Sequence, residues 1–161
     1  MHLQEHEIMS QERLDGFNEL CLEEPAESYG AISSFRDLHV WQFAMDASVL
    51  IYQLAAQLPD NEKFGLISQM QRASVSIPSN IAEGWGRGTS SDRQFLSYLR
   101  IARGSLFELE TQIELSRRLY RSIQLDTTEL NSKLTSIARM LIKLIDKIEL
   151  RYQQLRKDRK K

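Results

Sequence analysis

From Phe95 to Tyr120 one line of residues recurs at alternating steps of four and three: Phe95, Leu99, Ala102, Leu106, Leu109, Ile113, Ser116 and Tyr120. Seven such intervals in succession make a heptad seam, which holds one stripe on one side of an α-helix and fits no strand period. The same pattern returns through Leu130, Leu134, Ile137, Leu141, Leu144, Ile148 and Leu155, broken only by Arg151 near its end. Helices with one apolar stripe bury it against other helices, so the chain is predicted to be all-α.

Two earlier stretches supply the partners. The spacing of Val40, Phe43, Ala47, Leu50, Leu54 and Leu58 predicts a helix over about 36–58. Ser34 and Asp37 stand at capping-box spacing before it, and Pro59-Asp60-Asn61 stops it. A second helix is predicted over about 62–83, with Leu66, Met70, Ala73, Ile77 and Ile81 on one face. Pro78 lies inside it, which predicts a kink near Ser74 to Ile77, with Ser74, Ser76 and Ser79 placed to satisfy freed carbonyls. Gly84, Gly86 and Gly88 are expected to end this helix. The third helix is expected after Ser91, with Gln94 as capping partner, and the fourth after Asp126.

Short connections between long helices favour antiparallel neighbours, so the expected architecture is an antiparallel up-down-up-down four-helix bundle. Second apolar rows, Phe107, Leu115 and Leu119 on the third helix and Ile142 and Ile145 on the fourth, widen the stripes. That excess surface predicts burial between subunits of a homo-oligomer.

With 161 residues, 42% of them hydrophobic, the chain is long enough for one domain with a sizeable core. Cys21 is the sole cysteine, so no internal disulfide forms. The start, MHLQEHEIMSQER, lacks the pattern of a signal peptide, and no apolar run reaches the length of a membrane span. A cytoplasmic protein without a membrane role is expected. The net charge of −1 hides a division. Residues 1–34 carry Arg13 against eight acidic residues, whereas 35–161 carry 20 basic against 14 acidic. The chain therefore divides into an acidic arm over 1–34, read as mobile, a bundle over 35–157, and a basic tail over 158–161. A short amphipathic helix through Ile8, Leu14, Phe17 and Leu20 is the other reading of the arm.

Few residues suggest catalysis. Gly84-Trp85-Gly86-Arg87-Gly88 has the glycine content of a phosphate loop, but such loops follow a strand and this one follows a helix. A second reading makes Trp85 and Arg87 an exposed stacking platform. His2, His6 and His39 form no convincing metal set, and Glu108, Glu110 and Glu114 lack the Glu-x-x-His spacing of di-iron bundles. No strained serine elbow accompanies His39. No enzyme activity, metal or cofactor is expected.

The stretch FGLISQMQRASVSIPSNIAEGWGRGTSSDRQFLSYLRIARGSLFELE, from Phe64 to Glu110, carries a specific string, SIPSNIAEG, followed by Gly86-Arg87 and Gly104-Ser105-Leu106. It resembles the four-helix family called the S23 or 23S rRNA intervening-sequence proteins, which includes the accessory variability proteins of diversity-generating retroelements. The resemblance covers about 35–155. It implies a protomer that assembles into a barrel-like homopentamer with a basic surface. The retroelement members bind a reverse transcriptase and nucleic acid. The acidic arm lies outside the family core, and the body here is only modestly basic. Among the motif residues, Arg72, Pro78, Asn80, Glu83, Gly84, Arg87, Gly104 and Ser105 read as structural. Asn80 and Glu83 would bind backbone or each other, Gly104 would let two helices approach closely, and Ser105 would bond to a carbonyl. A subunit contact is the other reading of this cluster.

The basic residues form the candidate binding surface. At a hundred degrees per residue, Arg93, Arg100 and Arg118 fall within about 20° of one another, opposite the seam of the third helix. Arg139, Lys143, Lys147 and Arg151 recur every four residues on the fourth, and Arg156-Lys157-Asp158-Arg159-Lys160-Lys161 extends the run. These stripes are either a solvated face or a site for phosphate backbones, which a symmetric oligomer would multiply. The leading expectation is a non-enzymatic oligomeric adaptor offering a basic surface to RNA or DNA, or to a nucleic-acid enzyme such as a reverse transcriptase. The alternative is a structural or protein-interaction bundle without nucleic-acid affinity.

Overall fold

The computed structural model describes residues 33–88, 91–123 and 125–158, and residues 1–32 of the arm, with His2, His6 and Cys21, and the last three residues of the basic tail lie outside that range. Four long helices carry the seams: α1 His39–Ala55, α2 Leu66–Gly88, α3 Asp92–Leu119 and α4 Thr128–Asp158. Two 3-10 turns, Phe35–Asp37 and Asp60–Glu62, precede α1 and α2. No strand occurs among the described residues.

The capping box at Ser34 and Asp37 forms, but it closes the 3-10 turn. Leu38 then takes an extended conformation, so α1 starts at His39, later than the apolar spacing suggests. Glu62 caps the next helix, its Oε2 accepting from the Leu66 N–H at 2.8 Å. Ser91 caps α3 by accepting from the Gln94 N–H, and Asp126 accepts from the Thr128 N–H at 3.0 Å as α4 begins. These side chains satisfy first-turn donors that a helix leaves unpaired.

The core follows the expected seams of α3 and α4, while Phe43, Leu50 and Leu66 of the earlier stripes are only partly buried against it. Phe95, Leu99, Ala102, Leu106, Leu109 and Ile113 from α3 meet Leu130, Leu134, Ile137, Leu141, Leu144 and Ile148 from α4, all buried. Val40, Ala47, Leu54, Leu58, Met70, Ala73, Ile77 and Ile81 complete it. Ala44, Ile51 and Ala55 add a second buried row on α1. Helix α1 packs on α2 and α4, and α3 packs on the same two, with α2 against α3 the most extensive pair. Along that pair contacts run from Met70–Ser116 through Ser76–Ser105 to Gly84–Tyr98, so numbers rise on α2 as they fall on α3.

The glycine segment departs from expectation, because α2 continues through Gly84 and Gly86 to Gly88. A Cβ on Gly84 would sit 2.7 Å from Tyr98 Cβ and 2.9 Å from Phe95 Cδ2, and one on Gly88 would sit 3.0 Å from Phe95 Cβ. Gly84 and Gly88 lie one turn apart on the buried face, where the bare backbone receives the Phe95 ring. Each glycine disfavours helix by about 1 kcal/mol, and that packing outweighs it. Pro78 lies buried inside α2. Its missing N–H leaves the Ser74 carbonyl without its helical donor, and the hydroxyl that reaches this oxygen comes from Ser48 on α1, at 3.0 Å. Ser74 instead donates to the Gln71 carbonyl and Ser76 bonds to Ser105.

Candidate nucleic-acid interface

Arg93, Arg100 and Arg118 are all exposed on the outer side of α3. They do not form one patch. Arg100 and Arg118 are 18 positions apart, about 27 Å along the helix at 1.5 Å per residue. Arg118 is held by Glu114, Nε to Oε1 at 2.7 Å, and Arg117 approaches the same carboxylate at 3.5 Å. Arg100 pairs with Glu149 of α4 at 3.2 Å.

The α4 stripe divides as well. Arg139 and Lys143 are exposed and Lys147 is half-buried. A four-residue repeat drifts about 40° per step on a helix, so twelve residues carry the stripe about 120° round from Arg139 to Arg151. That drift brings Arg151 into the seam, away from the exposed stripe that Arg139 and Lys143 form. Arg151 grips Asp92 at the start of α3 through Nε at 3.1 Å and a terminal nitrogen at 2.7 Å. The side chains are 24% and 2% exposed, so this is a largely buried, two-point ion pair.

Where α3 begins and α4 ends, the two helices leave an open groove of about 540 Å³ lined by Arg93, Leu96, Arg100, Glu149, Tyr152 and Arg156. Its lining holds three arginines and one carboxylate, and the Arg156 guanidinium lies 5.8 Å from the centre of the Tyr152 ring. Arg93 and Arg100 of the predicted α3 stripe meet here. Arg139, Lys143 and Lys147 do not line the groove. Tyr152 is missed by reading basic spacing alone, and its signal in the sequence is its place one turn before Arg156, beside the break at Arg151.

The family-string residues build two polar locks between α2 and α3. In the first, Ser76 and Ser105 share a hydrogen bond of 2.8 Å, and Asn80 Nδ2 donates to the Ser76 carbonyl at 2.7 Å and its Oγ at 3.0 Å. Ser105 thus meets a hydroxyl, not a carbonyl. In the second, Glu83 Oε1 accepts from Tyr98 OH at 2.8 Å and from Arg87 Nε and a terminal nitrogen at 3.0 and 2.8 Å. The Arg87 guanidinium also lies 5.4 Å over the Tyr98 ring. Chiefly the Tyr98 hydroxyl, then Arg87, holds the Glu83 carboxyl below its ordinary value, and the same bond raises the Tyr98 phenol. Trp85 packs edge-on against Phe95 at 6.3 Å and 88°. With Trp85 half-buried and Arg87 locked, the open stacking platform is not formed.

Two further motif residues face outward. Arg72 is exposed, and so is Gly104, where a Cβ would meet nothing within 4 Å. Gly104 therefore does not serve close approach of helices within the protomer, because it points away from the α2–α3 contact. Of the second apolar rows, Ile145 belongs to the core, whereas Phe107, Leu115, Leu119 and Ile142 are exposed. Met45, Val49, Tyr52 and Val75 form another exposed apolar strip along α1 and α2. Among the described residues no group of three or more His, Cys, Asp or Glu is placed to hold a metal ion. No described helix is long and apolar enough to cross a membrane.

Residues 36–143 match the family of 23S rRNA-intervening sequence proteins. The chain is also similar to the crystal structure of a protein of unknown function from the S23 ribosomal protein family of Bacteroides thetaiotaomicron. The two share 28% identity at a TM-score of 0.57, over 66% of this chain and 97% of the other. No curated protein matches the chain.

Proposed function

Because the chain belongs to the 23S rRNA-intervening sequence protein family, we propose that it is a non-enzymatic, oligomeric adaptor that presents a basic surface to nucleic acid. The partner on this reading is RNA or DNA, or an enzyme that works on them such as a reverse transcriptase. The observation that carries it is the segregation of charge: 20 basic against 14 acidic residues over 35–161, with arginines converging where α3 meets the end of α4. Such a surface holds phosphates without reading sequence, and its affinity falls steeply with salt.

The protomer is an antiparallel up-down-up-down bundle on this reading, supported by the descending order of contacts between α2 and α3. Exposed Phe107, Leu115, Leu119 and Ile142 favour assembly of several copies, a pentamer by family resemblance. The cytoplasm is the expected location. A second reading, a protein-interaction bundle without nucleic-acid affinity, draws support from the ion pairs that already engage Arg118 and Arg151.

RNA binding by the purified full chain across a salt series, with light scattering alongside, tests both. Binding that weakens steeply with salt, on a particle of about five times the 18.7 kDa chain mass, is the expected result. No binding at low salt overturns the nucleic-acid reading and leaves the protein-interaction one. A monomeric mass overturns the oligomer.

A further inference from the structure

We propose that the groove between the start of α3 and the end of α4 is a single-strand subsite, holding a phosphate between Arg93 and Arg156 and stacking an unpaired base on Tyr152. The inference rests on the nucleic-acid reading and assigns it a place and a substrate class. Glu149 is already engaged by Arg100 at 3.2 Å, so the groove's carboxylate is neutralised from within. Arg93 and Arg156 make no ion pair among the described residues, and both are exposed on the rim. The half-buried ring of Tyr152 lines the same groove, with the Arg156 guanidinium 5.8 Å from its centre. A base laid on that ring extends an arginine–aromatic stack, as in sites that bind single strands without sequence preference. Paired bases keep their faces inside the duplex, so such a ring discriminates in favour of single strands.

The framework suits the task. Buried Leu96 lines the groove, and the Arg151–Asp92 pair ties the last turns of α4 to the first turn of α3. The groove's volume of about 540 Å³ falls in the range of small-ligand sites, large enough for one nucleotide unit. Arg118 sits with Glu114 and Arg117, and Arg87, which lies over the Tyr98 ring, is committed to Glu83.

Fluorescence anisotropy of the full chain tests this with a labelled oligoadenylate of about 20 nucleotides and a duplex of equal length. The double variant Arg93→Gln/Arg156→Gln is expected to bind the single strand at least tenfold more weakly. Its log–log salt slope should become shallower by about 0.7 for each phosphate that the variant no longer neutralises. Tyr152→Leu is expected to lose about five- to tenfold on the single strand and little on the duplex, while Tyr152→Phe retains the affinity. A surface control outside both basic stripes, Lys63→Gln in the connection before α2, is expected to bind as wild type. If the wild type binds and the groove variants bind as well as it does, the subsite is wrong while the basic-surface reading stands. If the wild type binds neither probe at low salt, both fail. Equal losses on single strand and duplex for Tyr152→Leu overturn the stacking role, and circular dichroism of each variant separates these results from misfolding.

Discussion

The hydroxyl of Ser48 on α1 lies 3.0 Å from the carbonyl oxygen of Ser74 on α2, the oxygen that Pro78 deprives of its helical N–H. The same hydroxyl is 2.8 Å from the Ala44 carbonyl, so its one proton answers two acceptors. A buried carbonyl without a donor costs about 1–3 kcal/mol. Ser48→Ala is therefore expected to lower stability by about 1–2 kcal/mol. In a Pro78→Ala background, residue 78 regains an N–H for Ser74, and the same Ser48→Ala change should cost less by about 1 kcal/mol. Urea denaturation of the four proteins at one fixed concentration measures the difference. Equal penalties in the two backgrounds would show that the serine does not compensate the proline.

Gly84 and Gly86 stand two positions apart on one helix and should respond oppositely to alanine. At Gly84 the new methyl would come within 2.7 Å of Tyr98 Cβ and 2.9 Å of the Phe95 ring, both on α3. Forcing α2 and α3 apart costs about 1–3 kcal/mol. At Gly86 nothing lies within 4 Å, so alanine brings only its better helix propensity, a gain of about 0.5–1 kcal/mol. Thermal melts of the two variants give the signs. A stabilised Gly84→Ala would refute the close packing of Phe95 on the α2 backbone.

This pair also marks what the sequence makes legible. The heptad seams of α3 and α4 are readable because burial imposes a period on many residues at once, and every one from Phe95 to Ile113 is buried. Glycine has no such voice. It ends a helix or admits a neighbour equally well, and only the position of Phe95 decides between them. The basic stripes show the same limit. The α3 wheel puts Arg93 and Arg100 on one face, and they do share a groove. Equal spacing on α4 joins Arg151 to Arg139, although the drift of the stripe turns Arg151 inward to Asp92. Which basic residues already have acidic partners depends on contacts between helices, such as Glu149 with Arg100, that no single-helix pattern contains.

Glu62 gives stability a sign with pH. The Tyr120 hydroxyl, then the Leu66 N–H, hold its carboxyl below the ordinary 4.5. Glu83 and Glu114 are lowered too, by Tyr98 and Arg118 first in each case. A carboxyl lowered on folding contributes stability that is present above its unfolded value and lost as pH falls through the folded one. The melting temperature is therefore expected to hold steady above about pH 5 and to decline below the 4.5 region. Tyr120→Phe should make that decline shallower, since it removes the largest cause of the Glu62 shift. The tyrosines act in reverse at the other end. Tyr98 and Tyr120 are raised above 10.0, so their contribution persists below pH 10 and is lost as pH climbs through the raised values. Melting curves of wild type and Tyr120→Phe from pH 3 to 8 check the acid limb, and parallel curves would remove Glu62 from the account.

The Asp92–Arg151 pair predicts where the bundle opens first when it is weakened. Asp92 is only 2% exposed, so Arg151→Gln leaves a carboxylate out of water without its cation. Breaking a buried pair from one side costs about 3–5 kcal/mol, and the 24% exposure of Arg151 reduces the expected loss to about 2–3 kcal/mol. Replacing both, as Asp92→Asn/Arg151→Gln, should cost less than the sum of the single changes, because the stranded charge disappears with its partner. The loss is also local. Beyond Ile148 the described apolar residues of α4 are exposed Leu150 and half-buried Tyr152 and Leu155, so the ion pair anchors the last turns. Amide exchange in Arg151→Gln is therefore expected to accelerate over residues 149–158 well before the Leu134 to Leu144 stretch. Uniform acceleration along all of α4 would mean that the pair supports the whole bundle and not its end.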